Sequence, residues 1–277
     1  MKIFLTGTPG IGKSTILEQV NNSYKGKKFG IISRELKDKL GHRIGFEAVN
    51  FQGKRSTFAH INQIKSPFLI GGKYFVDLNI LDHFVVSQIL RGVNHPQSLV
   101  FIDEIGRMQA FSKKFIYAVQ KLVHSNSNIL ATIVSDPEPW SLQFKNDKHL
   151  ILVQITKSNR TLLPKLIQTI YENSAFFQKL NTKQQELVIL TARQYFVDQK
   201  YLQLTKLFKN AIPYVVKGKV NSKATGYLVT GNSKQHTVQQ QNDKFVCDCD
   251  LFTGRGFYLN SNGECSHIQA SKIQQAE

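Results

Sequence analysis

An α/β fold with a mostly parallel sheet covered on both faces, followed by a small β-rich domain, is predicted by three observations in this chain of 277 residues. Apolar strand-like runs alternate with helical periodicity from residue 2 to about 160, the pattern of strand–helix–strand units. A glycine-rich stretch, "GTPGIGKS" (7–14), stands between the first strand and the first helix. After about residue 160 the chain reads as consecutive helices and then short alternating strands, and all three cysteines lie there, at 247, 249 and 265.

The elements follow in order. "KIFLT" (2–6) is a short, mostly apolar strand. A helix runs from Lys13 to Asn22, with Ile16, Leu17 and Val20 at helical spacing. "FGIIS" (29–33) is a second strand, and "HRIGFEAVNF" (42–51) alternates and predicts a hairpin with its neighbours. "LNILDHFVVSQIL" (78–90) is helical, and "SLVFIDE" (98–104) is an apolar strand ending in acids, as buried parallel strands do. An amphipathic helix covers 112–125, and two further buried strands are "NILATIV" (128–134) and "HLILVQI" (149–155). Beyond them, helices are expected over 161–174, 183–196 and 198–209. From "AIPYVVKGKV" (211–220) onward the expectation is short strands: 226–231, 236–240 and 244–250. A helix is expected to begin near His267. The predicted organisation is a first domain over 1–175, a helical connector over 176–210 and a small domain over 211–277.

Composition bounds the function. With 41% hydrophobic and 20% charged residues the chain can bury an ordinary globular core. No apolar run approaches the roughly 20 residues that a membrane span requires. The opening "MKIFLTGTPG" is too short in its apolar part for a secretory signal, so a cytoplasmic protein without a membrane partner is expected. The formal net charge is +17, which favours polyanionic partners. Basic residues outnumber acidic ones in both parts, 22 to 11 over residues 1–160 and 14 to 8 over 161–277, so no single basic block marks a binding face.

"GTPGIGKS" fits G-x-x-x-x-G-K-[ST] with a strand before it and a helix after it. Gly7, Gly10 and Gly12 let the backbone curl so that its N–H groups surround phosphate oxygens, with Thr8, Pro9, Ile11 and Thr15 completing the loop. The following helix N-terminus favours anions. Lys13 is placed to reach the β- and γ-phosphates, and Ser14 to ligate Mg²⁺. "LVFIDEIGRM" (99–108) supplies a second element: Asp103, at the carboxyl end of a buried strand, to hold Mg²⁺ through water, and Glu104 to orient or deprotonate the attacking water.

At this point the chain resembles a known family. Residues 1 to about 165 are similar to the thermostable and cancer-related nucleoside-triphosphatase family in "GTPGIGKST", "SRELKDKLGHRIGF" (33–46), "GGKYFVDL" (71–78), "FIDEIGRMQAFSKKF" (101–115) and "ITKSNR" (155–160). The resemblance implies a slow, Mg²⁺-dependent hydrolase of ATP, GTP and other nucleoside triphosphates on a three-layer, adenylate-kinase-like core. Ser33 stands where the family usually has Thr, Lys37 where Arg is usual, and Gln109 where an acid follows the Met. Lys lacks the bidentate fork of Arg. Arg43, Arg107 and Arg160 are the candidates for transition-state charge. Two other readings stay open: a nucleotide kinase, and a nucleotide-gated nucleic-acid-binding switch in which slow hydrolysis is only a timer.

Cys247-x-Cys249 and Cys265-x-His267, separated by 15 residues, supply four ligands of the types zinc prefers. Four protein ligands leave no open position for a catalytic water, so the expected zinc is a structural staple for a domain too small to fold well alone. The pattern resembles the SWIM zinc finger over about 212–272, including Phe252 after the first pair and "HIQA" after Cys265 and Ser266, although Ser266 replaces the usual Lys. That resemblance implies a module for contact with DNA, RNA or protein.

Overall fold

The computed structural model describes all residues except 96, 225, 232–233, 242–243, 250–263 and 277. It divides into two compact units, Met1–Pro164 and Lys165–Glu277.

The first unit runs β1 (Lys2–Thr6), α1 (Lys13–Ser23), β2 (Lys28–Lys37), β3 (Arg43–Asn50), β4 (Arg55–His60), β5 (Leu69–Ile70), β6 (Tyr74–Val76), α2 (Val86–Val93), β7 (Leu99–Ile105), α3 (Arg107–Ala110), α4 (Lys113–Val123), β8 (Asn128–Ile133), α5 (Pro139–Lys145) and β9 (Ile151–Gln154). A π-helical turn, Ile80–Val85, leads into α2. One sheet contains all nine strands in the order β5-β6-β4-β3-β2-β7-β8-β1-β9.

The sheet is mixed, which corrects the mostly parallel expectation. β2, β7, β8, β1 and β9 pair parallel. β2, β3, β4, β6 and β5 pair antiparallel. The reason is local. No helix separates β2, β3 and β4; tight turns join them. Asp38 Oδ1 accepts from the Leu40 and His42 amides at 2.9 and 2.8 Å, and Asn50 Oδ1 from Gln52 and Lys54 at 3.0 and 2.9 Å. Such side-chain turns bring the chain straight back as a hairpin. β4 is interrupted by polar residues, and β5 and β6, of two and three residues, are too short for an alternating pattern to mark them in the sequence.

Both faces of the parallel region are buried. Phe4, Val100, Ile102, Ile129 and Ala131 join one core cluster with Val86 and Ile89 of α2 and Phe115, Ala118 and Leu122 of α4. The alternate residues Ile3, Leu5, Leu99, Phe101 and Leu130 are equally buried and fall outside that cluster, as the two-residue period of a strand requires. On their side α1 packs on β7 and β8, with Ile16, Leu17 and Val20 buried.

The second unit contains the helices Thr182–Val197, Tyr201–Lys206 and Ile212–Val216, the last two joined by a π-helical turn, Leu207–Ala211. Asn181 and Gln184 form a capping box at the start of the longest. The expected strand at 211–220 is therefore corrected at its start: Ile212, Pro213 and Tyr214 are buried in a helix with Pro213 in its first turn, where a missing N–H is tolerated. An antiparallel sheet follows, β10 (Val220–Lys223), β11 (Gly226–Thr230), β12 (Gln235–Gln241) and β13 (Lys244–Cys247), in sequential order. The C-terminal helix Ser266–Gln275 packs on both the helices and the sheet. Gln269 Nε2 donates to the Gln203 carbonyl at 3.1 Å and to the Tyr195 hydroxyl at 3.2 Å. Among the described residues no helix is long and apolar enough to cross a membrane.

Candidate functional site

The phosphate loop leaves the end of β1. Gly10 and Gly12 have φ of 75° and 111°, values that a side chain strongly disfavours. Gly12 is the N-cap of α1, and no side chain caps that helix start. Its first-turn N–H groups therefore remain for a ligand, and the helix dipole favours an anion there. Within the loop, the Ile11 amide donates to the Thr8 carbonyl at 3.2 Å. The Lys13 ammonium donates to the Gly7 carbonyl at 3.0 Å and lies 3.8 Å from Glu104 Oε1.

Asp103 is 2% exposed at the end of β7. Its Oδ1 accepts from Ser14 Oγ at 3.1 Å and from Thr132 Oγ1 at 2.7 Å. Its carbonyl accepts from Ser33 Oγ on β2. Burial pushes its carboxyl up to about 6; the two hydroxyls oppose that shift, and Glu104 and Glu18 add to it. Ser14 and Asp103 are hard oxygen donors at one point. The two stand 3.1 Å apart, a hydroxyl and a carboxylate of the kind Mg²⁺ takes directly or through its bound water, so the donor chemistry fits such an ion.

Pro9, Gly10, Gly12, Lys13, Ser14 and Thr15 line a cavity of about 560 Å³ together with Asp103 and Glu104. Of the predicted arginines, Arg43 and Arg107 line it as well, whereas Arg160 is exposed and is not part of the lining. Arg43 pairs with Glu35 at 2.7 Å, and Arg107 with Asp136 at 2.6 Å and Glu138 at 2.8 Å. Lys37 also lies outside the lining and approaches Glu35 at 3.8 Å. Sequence reasoning missed Thr132 and Arg34. A threonine in a buried strand reads only as a β-former, and Arg34, although inside the segment 33–46, falls at none of the positions that carry the resemblance.

In the second unit, Cys247, Cys249, Cys265 and His267 present ligand atoms all within 4.8 Å of one another. β13 ends at Cys247, Cys265 is the N-cap of the C-terminal helix and His267 lies in its first turn. The three cysteines are 1%, 3% and 2% exposed. Cys247 Sγ stands 3.7 Å from His267 Nδ1; sulfur and nitrogen ligands of a tetrahedral zinc stand about 3.5 Å apart. The neighbouring Cys249 and Cys265 and then burial push the Cys247 thiol far up. Cys247 draws the Cys265 thiol down, but Cys249 and burial outweigh it and leave Cys265 at about 11. Such thiols ionise together only beside a cation, so the donor set fits a divalent soft-ligand metal. The His267 ring lies between Tyr214, parallel to within 4° at 5.9 Å, and His236 at 4.1 Å. His236 Nδ1 is 3.1 Å from Asp248 Oδ1. Phe252 lies outside the described residues.

Comparison with known proteins bears on the first unit. Residues 2–168 match the NTPase family. The nucleoside-triphosphatase THEP1 of Thermotoga sp. (strain RQ2) is 31% identical over 59% of this chain and 91% of its own length. The human cancer-related nucleoside-triphosphatase is 30% identical over 60% of this chain and 94% of its own length. Among solved structures, THEP1 from the hyperthermophile Aquifex aeolicus aligns with a TM-score of 0.54 at 29% identity, covering 60% of this chain and 96% of that one. The solution structure of the human cancer-related nucleoside triphosphatase aligns with a TM-score of 0.51 at 29% identity, covering 60% and 95%. With a phosphate loop, a buried acid beside its serine and a match across more than half its length, the chain belongs to the NTPase family.

Proposed function

We propose that the first unit hydrolyses nucleoside triphosphates, ATP and GTP among them, in a Mg²⁺-dependent reaction. The observation that carries this reading is the convergence of Lys13, Ser14, Asp103 and Glu104 at the mouth of one phosphate loop. The loop amides and the α1 N-terminus bind the phosphate chain. Lys13 leaves the Gly7 carbonyl to meet the β- and γ-phosphates. Ser14 would ligate Mg²⁺ and Asp103 would hold it through water; the ion would supply charge neutralisation at the phosphate oxygens. Glu104 orients the attacking water and takes its proton. Arg34, Arg43 and Arg107 are the cations near the charge that develops. The test is phosphate release from ATP and GTP with and without Mg²⁺; no release under any of these conditions refutes the reading.

For the second unit we propose a structural zinc on Cys247, Cys249, Cys265 and His267, of SWIM type, in a module that brings the enzyme to a nucleic acid or protein. The support is the closed N/S donor set and the chain's +17 charge. Three buried thiols outside any disulfide suit a reducing, cytoplasmic compartment. Elemental analysis of protein purified without chelator tests the metal: zinc at one per chain is expected, and its absence refutes this part.

A further inference from the structure

We propose that His236, held by Asp248, is the residue that positions the His267 ligand of the second unit, so that this pair sets how tightly and in what geometry the Cys/His cluster takes its metal. The inference rests on the structural-zinc reading, because it needs an ion at the cluster.

The sheet brings the pair there. In the β12–β13 ladder Val238 stands opposite Cys247. His236, two residues earlier on β12, therefore falls on the same face as Cys247, next to the end of β13. Its side chain is 9% exposed. Asp248 lies between the first two cysteines and is tied to β12 three times. Its amide donates to the Thr237 carbonyl at 3.2 Å. Its Oδ2 accepts from the Thr237 amide at 3.0 Å, and its Oδ1 stands 3.1 Å from His236 Nδ1. A carboxylate oxygen only accepts, so the ring proton lies on Nδ1 and the bond fixes the ring plane.

His267 needs such a neighbour. A ligating histidine is ordinarily oriented by a hydrogen bond from its other ring nitrogen. Here Nδ1 faces Cys247 Sγ at 3.7 Å. Nε2 lies beside Gly231, where an added Cβ would come within 3.3 Å of it, and makes no hydrogen bond among the described residues. Orientation therefore has to come from the faces of the ring. One face meets His236, with centroids 4.1 Å apart and planes 25° apart. The other looks towards Tyr214 at 5.9 Å. The His236 contact is the closer, and a turn of His267 about its side-chain torsion would drive its edge into that ring. An imidazole that gives its lone pair to a cation becomes electron-poor, and it stacks favourably on a ring backed by a carboxylate.

Cys247, Cys249, Cys265 and His267 already close a four-donor site, which leaves His236 to position and not to ligate. A ring nitrogen of His236, Cys247 Sγ and an Asp248 oxygen nevertheless lie within 4.8 Å of one another, so the experiment also separates ligation by His236.

The experiment uses the full chain, loaded with zinc or with cobalt(II) as a coloured stand-in. Zinc affinity is read by competition with a chromophoric chelator, and ligand geometry by the visible absorption of the cobalt form. His236→Ala is expected to lower zinc affinity about 10–100-fold and to shift the cobalt bands. His236→Phe restores a flat ring without a nitrogen, and is expected to bring affinity and bands back towards those of the unaltered chain. Asp248→Ala is expected to weaken zinc in the same direction, and an unchanged affinity there overturns the part given to Asp248. Unaltered affinity and bands in His236→Ala overturn the proposal and leave the zinc reading intact, as does an equal loss in His236→Phe. Undiminished zinc affinity in His267→Ala would make His236 the ligand and overturn it too, as would two zinc ions per chain. No zinc in the unaltered chain overturns both readings.

Discussion

The phosphate-loop site takes its side chains from α1, β2, β7 and β8, whereas the Cys/His cluster takes its four donors from residues 247–267. The first is open: Glu104 is 37% exposed and borders a large cavity. The second is closed: its three sulfurs belong to residues almost wholly out of solvent. The first rests on a nine-stranded sheet with its own core, so its acids can be changed without losing the fold. The second sits where β13, the C-terminal helix and Tyr214 meet, and there the three cysteines are part of the core itself.

The harshest way to break this comparison is Cys265→Ser. Zinc binding by such ligands is worth on the order of 10–16 kcal/mol apparent in small finger peptides, more than most domains have in reserve. The second unit is expected to unfold, seen as lost β-sheet and helix signal. The single tryptophan, Trp140, lies in α5 of the first unit, so its fluorescence reports that unit alone. An unchanged Trp140 transition with basal hydrolysis retained is the expected result. A fully folded second unit in metal-free Cys265→Ser protein refutes the staple.

A lesser effect is expected from the open site. Glu104→Gln keeps the shape but removes the basic oxygen, and losing a general base costs about 10²–10⁴ in rate. Nucleotide binding should persist in a fluorescent-nucleotide titration. Lys13→Ala should remove hydrolysis with the Trp140 transition in place, because among the described residues its Nζ makes a carbonyl bond to Gly7 and a 3.8 Å approach to Glu104, neither of which ties elements of the core together. Normal turnover in a folded form of either variant would move the role to another residue.

The same contrast explains what the sequence made legible. The loop, Asp103 and Glu104, and the Cys/His pattern are each contiguous or regularly spaced, so local rules suffice for them. Thr132 stands 29 residues from the carboxylate it bonds, and only the parallel pairing of β7 and β8 brings them together. Phe46, Phe58 and Ile70 meet at the cavity through antiparallel strands that carry no helix-crossover signal. Ile212–Val216 reads as strand by composition, and burial in a helical layer overrides that preference.

The smallest effect concerns the cost of keeping Asp103 ready. Its folded carboxyl titrates at about 6 because of burial, against about 3.9 in an unfolded chain. Between those values the folded state binds more protons than the unfolded state. Stability of the metal-free protein therefore falls as pH rises from about 4 to about 6, and the loss is complete above that window. Raising a carboxyl from about 3.9 to about 6 corresponds to about 3 kcal/mol, and the near-total burial of the group leaves little solvent screening to reduce it. Asn at this position still accepts from Ser14 and Thr132 through Oδ1 but carries no charge. Asp103→Asn should accordingly raise the denaturation midpoint of the first unit at pH 7 in metal- and nucleotide-free buffer, followed by Trp140 fluorescence, and change it little at pH 4. Equal shifts at both pH values would show that the carboxylate is not the source of strain. A variant stabilised at pH 7 but unable to hydrolyse nucleotide would instead mark Asp103 as a residue kept for the ion, at a cost the empty fold carries.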